Sequence, residues 1–156
     1  MGRDETRVRE LVFALEFRGR AEAVPGSTTL RHARTSAPSQ VLRTSMDAAG
    51  VHGGMEELPG DHAVLDSRVE RFEDGSFVED GTIRYGRAGA VSFVTEGRGR
   101  VGPRPAPGQV LGAVIWTVTG GDGCFAGARG LITSNFTVDA EGRVVDHHVA
   151  RLYLSS

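Results

Sequence analysis

The chain has 156 residues, of which 39% are hydrophobic and 24% are charged, and its formal net charge is −2. These values are typical of a single globular domain and give no reason to expect a nucleic-acid partner. All 18 basic residues are arginine and Cys124 is the only cysteine. The sequence therefore excludes Schiff-base lysine chemistry, a P-loop lysine, a disulfide framework and a multi-cysteine zinc site.

The N-terminal segment, residues 1–10, is rich in charge and is a candidate lid. The apolar run that follows is interrupted by Glu16 and Arg18, so it is too short for a signal peptide, and no other run approaches a membrane span. We therefore expect a cytoplasmic protein with no membrane partner. Arginine, glycine and alanine usage suggests a GC-rich bacterial gene.

Strands are predicted along most of the remaining chain, because apolar residues alternate with polar ones. The candidates are Leu11–Val24, Gln40–Met46, Val51–Leu58, Ala63–Phe72, Ser76–Tyr85, Ala90–Glu96, Val110–Thr119, Gly130–Val138 and Arg143–Leu154. Two stretches lack the pattern and are predicted as loops: Pro25–Ser39, a second candidate lid, and Glu96–Gln109.

The order of elements predicts the fold class. Eight or nine strands joined by short turns, with no amphipathic helix of ten residues, indicate an all-β domain over residues 11–156. Closure of an antiparallel eight-stranded up-and-down barrel removes exposed strand edges. We expect such a barrel, with an apolar lumen.

The glycine-rich stretch that begins at Thr119 contains Gly121-x-Gly123-x-x-Ala126, which resembles a dinucleotide-binding fingerprint. That fingerprint requires a helix after the glycines, whereas Leu131–Val138 alternates and is β-branched. The stretch is therefore interpreted as a hairpin whose glycines allow positive φ, with Phe125 folded back as a plug.

This hairpin resembles the allene-oxide-cyclase-like, or dirigent-like, β-barrel superfamily. The residues that carry the resemblance are Trp116, Thr119, Gly120, Gly123, Phe125, Gly127 and Gly130, with further matches at Asp47–Gly53 and Asp74–Tyr85. Over residues 40–154 the chain looks most similar to small bacterial polyketide cyclases of the spirotetronate Diels–Alderase type. The resemblance implies a barrel whose lumen folds a flexible polyene and closes a ring without a cofactor. It departs at Ser134, where those cyclases carry a tryptophan.

Strand alternation selects the candidate lumen residues, although plain core packing explains each apolar one equally well. The expected substrate-binding residues are Phe77, Phe93, Val114, Ile132, Ser134 and Phe136; the expected catalytic residues are Trp116, Tyr85 and Glu79. If Trp116 shapes the site, Trp116→Ala should lower turnover while leaving the fold intact.

Glu79 is the one carboxylate on an otherwise apolar strand face. Buried there, it would have a raised pKa suited to acid–base work. The alternative is a bulge at Gly81 that reverses the alternation and places Glu79 in solvent, and this alternative is favoured.

No metal site is predicted, since His147 and His148 face opposite sides of a strand and no His-x-His occurs. One of the two is expected outside the barrel and the other inside. A hydrolase is disfavoured because no serine lies within a Gly-x-Ser-x-Gly elbow.

The predicted function is cofactor-free cyclisation of a polyketide, by an intramolecular [4+2] closure in the barrel. A pericyclic closure needs the reacting termini held together, not a nucleophile or a metal. The alternatives are a non-enzymatic barrel that binds a hydrophobic small molecule, and an acid-assisted cyclase or isomerase that uses Glu79. The sequence leaves open whether the barrel forms a homodimer.

Overall fold

The structure, a computed structural model, describes residues 8–103 and 106–155. Its strands are β1 (Val8–Ala23), β2 (Leu30–Ala37), β3 (Gln40–Asp47), β4 (Gly50–Glu57), β5 (Ala63–Arg71), β6 (Ser76–Tyr85), β7 (Ala90–Thr95), β8 (Gly99–Pro103), β9 (Val110–Gly121), β10 (Arg129–Val138) and β11 (Arg143–Ser155). The only helical element in the described ranges is a 3-10 turn, Gly123–Phe125. It is far too short to cross a membrane as a helix.

Eight strands close into an antiparallel barrel, as the sequence predicts. They follow one another around the barrel in the order β1, β2, β5, β6, β7, β9, β10 and β11, and β11 pairs with β1 to complete the circle. The β1–β11 ladder is the longest, running from Val8–Ser155 to Arg20–Arg143. One further strand of the same sheet, β8, lies beside the barrel strands and pairs with the first residues of β9 and of β6.

The two predicted loops were wrong in part. Residues 30–37 form barrel strand β2, and residues 99–103 form β8. The alternation in β2 was easy to miss because its inward residues are the small Ala33, Thr35 and Ala37. Since β2 belongs to the barrel wall, only residues 25–29 and 38–39 of the second candidate lid lie outside strands.

The strands predicted at residues 40–46 and 51–58 exist, but they lie outside the barrel. They form β3 and β4, which pair only with each other and are largely exposed. The side chain of Gln40 joins this hairpin to the barrel, since its amide accepts from the Glu16 N–H and donates to the Glu16 carbonyl. The candidate lid at residues 1–10 falls mainly outside the described residues, and its last three residues begin β1.

One end of the barrel is closed by the glycine-rich hairpin between β9 and β10. Gly123 and Gly127 have φ of 57° and 73°, a region that L side chains rarely adopt, and the turn between them directs Phe125 inward. Phe125 packs against Tyr85, whose ring in turn contacts Phe13. The prediction that Phe125 acts as a plug is confirmed.

The middle of the barrel is filled with large side chains. Trp116 stacks on Phe93 with ring centroids 4.3 Å apart, and His148 stacks on Phe17 at 4.2 Å. An edge-to-face contact between Trp116 and His148, at 4.9 Å, joins the two pairs. On the side of this packed layer opposite Phe125, the lumen is unfilled.

Candidate functional site

A cavity of about 350 Å³ occupies that part of the lumen. It reaches the turns that follow β5 and β10, and it is open to solvent there; we call this opening the mouth. Its walls are mainly apolar. The lining residues that matter below are Ala33, Thr35, Leu65, Val69, Phe77, Glu79, Val101, Ser134, Phe136 and Asp146, with Arg31 and Arg71 nearer the mouth.

Two glycines create room for the aromatic part of the wall. The Phe77 and Phe136 rings meet edge to face, with centroids 5.8 Å apart. Gly99 on β8 lies behind the Phe77 ring, and Gly112 on β9 lies behind the Phe136 ring, so closely that a Cβ at either glycine would overlap the ring. The backbone of β8 and β9 thus sets how far these rings stand from the centre of the cavity.

Glu79 lies on the inward face of β6, together with Phe77, Ile83 and Tyr85. It is only 8% exposed, so the favoured expectation, a bulge at Gly81 that turns Glu79 to solvent, is wrong. Pairing of β6 continues without a shift through Gly81, which lies opposite Ser67 on β5 and opposite Phe93 on β7. Regular pairing preserves the alternation, and the alternation points Glu79 inward.

The surroundings of Glu79 favour its protonated form. Desolvation by burial raises the pKa of this carboxyl to about 8, and the negative charge of Asp146 acts in the same direction. The Ser67 hydroxyl donates a hydrogen bond to Oε2 at 2.5 Å, which opposes the rise in pKa without cancelling it. The indole of Trp116 lies close enough to favour the charged form slightly, yet its N–H makes no well-formed hydrogen bond within the described residues. At neutral pH Glu79 is therefore mostly a neutral acid.

Asp146 forms a second polar group on the cavity wall. Its Oδ1 accepts from the Ser134 hydroxyl at 2.6 Å, and its Oδ2 lies 2.8 Å from Nε2 of His148. Strand β11 places Asp146 and His148 two residues apart on its inward face, and β10 places Ser134 opposite His148. The carboxyl group of Glu79 and that of Asp146, which contacts the His148 ring, thus lie in one largely apolar chamber.

Sequence reasoning missed Asp146, although a usable signal was present. Asp146 is the odd residue among the inward-facing Val144, His148, Ala150 and Leu152, as Glu79 is on β6. Sequence reasoning also missed Ser67 and Thr35. Thr35 lines the cavity, and its hydroxyl oxygen is buried and has no hydrogen-bond partner among the described residues.

Of the predicted catalytic residues, only Glu79 lines the cavity. Trp116 is 1% exposed and lies beneath the cavity floor, so the expectation that it lines the hollow is wrong. Tyr85 packs at the closed end of the barrel, where burial raises the pKa of its phenol. Both residues do face inward, but the layer of large side chains in mid-barrel separates Tyr85 from the open chamber.

The predicted substrate-binding residues divide in the same way. Phe77, Ser134 and Phe136 line the cavity, whereas Phe93, Val114 and Ile132 are buried in the packed layer and do not reach it. Alternation predicts whether a side chain faces into the barrel, but it does not predict the position of that side chain along the barrel axis. This position decides which inward-facing residues line the cavity.

The histidine prediction is confirmed. His147 is exposed and lies 2.9 Å from Glu16, while His148 is 1% exposed inside the barrel. Among the described residues, no group of three or more potential metal ligands lies together.

The fold is also found in a solved protein. The pterocarpan synthase dirigent protein GePTS1 superposes with a TM-score of 0.61, at 11% sequence identity, over 99% of this chain and 90% of that one. No family model matches the chain, and no curated protein matches it significantly in sequence. The chain therefore has the dirigent-like barrel fold.

Proposed function

We propose that the barrel binds an apolar small molecule in its open chamber and promotes an intramolecular cyclisation without a cofactor. The observation that carries the proposal is the placement of a buried, mostly protonated carboxyl, Glu79, on the wall of an otherwise apolar cavity that is open at one end. An unfilled apolar chamber with a few converging polar groups is the usual form of a small-molecule site.

The reaction that we propose is a [4+2] closure of a linear polyketide. Two σ bonds form at the expense of π bonds, and no proton or electron is exchanged. The wall formed by Phe77 and Phe136 would hold the chain folded with its termini in contact, which lowers the entropic part of the barrier. Glu79 would donate a hydrogen bond to a substrate carbonyl, and the unpartnered Thr35 hydroxyl offers a second donor.

A second candidate, acid-assisted cyclisation or isomerisation, is favoured by one specific observation. Burial raises the pKa of Glu79 and keeps this group mostly neutral, and Asp146, whose charge adds to that rise, lies in the same chamber. Two carboxyl groups with different environments can act as a proton donor and a proton acceptor. A protein with the same fold carries the name of a synthase, which supports the use of such a barrel for chemistry rather than transport alone.

Incubation with a linear polyketide precursor tests the proposal, and a polyketide synthase cluster around the gene would supply the compound to use. Cyclised product formed faster than the spontaneous reaction, with one stereochemistry, supports the cyclase. Tight binding without conversion would instead identify a hydrophobic carrier. Neither binding nor conversion of any such precursor would contradict both.

A further inference from the structure

We propose that the molecule bound in the cavity carries an anionic group, a carboxylate or a phosphate, which Arg31 and Arg71 bind at the mouth. This inference rests on the proposed function and names the class of ligand for the same site: an apolar body with an anionic end.

Both arginines occupy inward-facing positions at the ends of neighbouring strands. On β2 the inward residues Ala33, Thr35 and Ala37 are buried, and Arg31 continues that face toward the mouth. On β5 Arg71 continues the face of Leu65 and Ser67 in the same way.

The ladder between the two strands brings the arginines together. Arg31 lies directly opposite Val69, so Arg71 is its diagonal neighbour, within reach of a long side chain. Both line the cavity. The alternation that directs apolar residues into the lumen therefore directs two guanidinium groups to its entrance.

Neither arginine has an ion-pair partner in residues 8–103 or 106–155. Other arginines of the barrel do form such pairs, for example Arg34 with Asp66 at 3.0 Å. Asp139, an acidic side chain that lines the mouth, is already engaged by Arg143, whose Nε lies 2.6 Å away. The mouth therefore presents two uncompensated positive charges, and Arg31 is half-buried.

An anionic ligand group would compensate these charges. The planar guanidinium binds carboxylate and phosphate through paired hydrogen bonds, and such charge-assisted bonds are stronger than neutral ones. An apolar ligand without a charge gains nothing from Arg31 and Arg71 and must partly desolvate them. The mouth thus favours a free acid or a phosphate ester over a neutral molecule with the same hydrocarbon part.

Displacement of a neutral dye measures this preference. The full-length protein is loaded with N-phenyl-1-naphthylamine, and the dye is displaced with decanoate, decyl phosphate or decanol, which share the alkyl chain and differ in the head group. We expect one of the two anions to displace the dye at a concentration at least about tenfold below that of decanol. The two anions, compared with each other, distinguish a carboxylate ligand from a phosphate ligand.

Variants assign the preference to the two arginines. In Arg31→Gln/Arg71→Gln, the concentrations needed for anion and alcohol should become nearly equal, while the decanol value stays close to that of the wild type. The matched control is Arg34→Gln/Arg68→Gln, which removes two arginines from exposed, outward positions of the same strands. This control should keep the preference for the anion.

The outcomes separate this inference from the proposed function. Equal displacement by anion and alcohol in the wild type, or a preference that survives Arg31→Gln/Arg71→Gln, overturns the inference while the apolar site stands. A wild-type protein that does not bind the dye, the alcohol or either anion contradicts both.

Discussion

The Ser67 hydroxyl donates a 2.5 Å hydrogen bond to Oε2 of Glu79 across the β5–β6 ladder, inside a barrel whose wall is otherwise mainly apolar. The two residues are diagonal neighbours, because Ser67 lies opposite Gly81 and Glu79 lies opposite Val69. This bond fixes one oxygen of the carboxyl and leaves the other available to carry the proton that the raised pKa retains. The orientation of the acid thus depends on the unbroken register of the two strands.

Glu79→Gln should change how stability depends on pH. The pKa of Glu79 is about 8 in the folded protein, against an ordinary value of 4.5. Between these values the folded state binds more protons than the unfolded state, so the group makes stability fall as pH rises through this window. The full shift corresponds to about 5 kcal/mol as an upper bound. Urea denaturation from pH 5 to 9 should show a shallower decline for Glu79→Gln.

The control for this experiment is Glu70→Gln, at an exposed position on β5. Its pH profile should follow the wild type. A Glu79→Gln profile that runs parallel to the wild type would show that Glu79 titrates normally, and the acid assigned to the chamber would be lost.

Turnover of a linear precursor should separate the two candidate reactions. Glutamine keeps a hydrogen-bond donor but carries no transferable proton, and leucine has neither. If Glu79 only polarises a carbonyl, Glu79→Gln should retain much of the activity and Glu79→Leu should lose about 10- to 1,000-fold. If Glu79 transfers its proton, both variants should lose at least about 100-fold, and wild-type activity should fall above pH 8. If both variants turn over the precursor at the rate of the wild type, Glu79 takes no part in the mechanism.

Gly112→Ala should narrow the cavity. The added Cβ would overlap the Phe136 ring and push it into the lumen, so a large apolar ligand should bind at least several-fold more weakly. The matched control is Gly102→Ala, since a Cβ there meets no atom within 4 Å. Fluorescence titration with N-phenyl-1-naphthylamine measures both; equal affinities would show that Phe136 does not limit the binding space.

Trp116→Ala should destabilise the barrel instead of leaving it intact, contrary to the expectation from sequence. Trp116 is buried, stacks on Phe93 and contacts His148, so its removal leaves a large hole in the packed layer. Such truncations typically cost about 3–5 kcal/mol. Chemical denaturation measures the loss, with Trp116→Phe as the milder comparison. Unchanged stability would show that this layer does not support the fold.

Much of the fold could be predicted from alternation and turns. Period-two patterns located nine strands, and short glycine-containing turns between them indicated antiparallel closure. Strand β2 escaped because small inward residues such as Ala33 leave little hydrophobic signal. The strands β3 and β4 were predicted together with those of the barrel, although they form a separate, exposed hairpin. A local pattern does not reveal which strands pair, because distant residues decide the pairing.

For the candidate site, the sequence predicted only which side chains face into the barrel. Alternation correctly turned Glu79, Phe77, Ser134 and Phe136 inward, and it did the same for Trp116. Alternation did not predict the position along the barrel axis at which large side chains fill the lumen. The stacked layer around Trp116 forms from four strands at once, and it determines that the chamber lies on the Glu79 side of Trp116.

The most direct test of the central claim is dye binding to a protein whose chamber has been filled. Ala33 lines the cavity, whereas Ala113 is exposed on the outside of β9, so Ala33→Phe and Ala113→Phe add the same ring in different places. We expect the wild type and Ala113→Phe to bind one equivalent of N-phenyl-1-naphthylamine, and Ala33→Phe, folded by circular dichroism, to bind it at least about tenfold more weakly. Equal affinity in all three proteins would contradict a binding site inside the barrel.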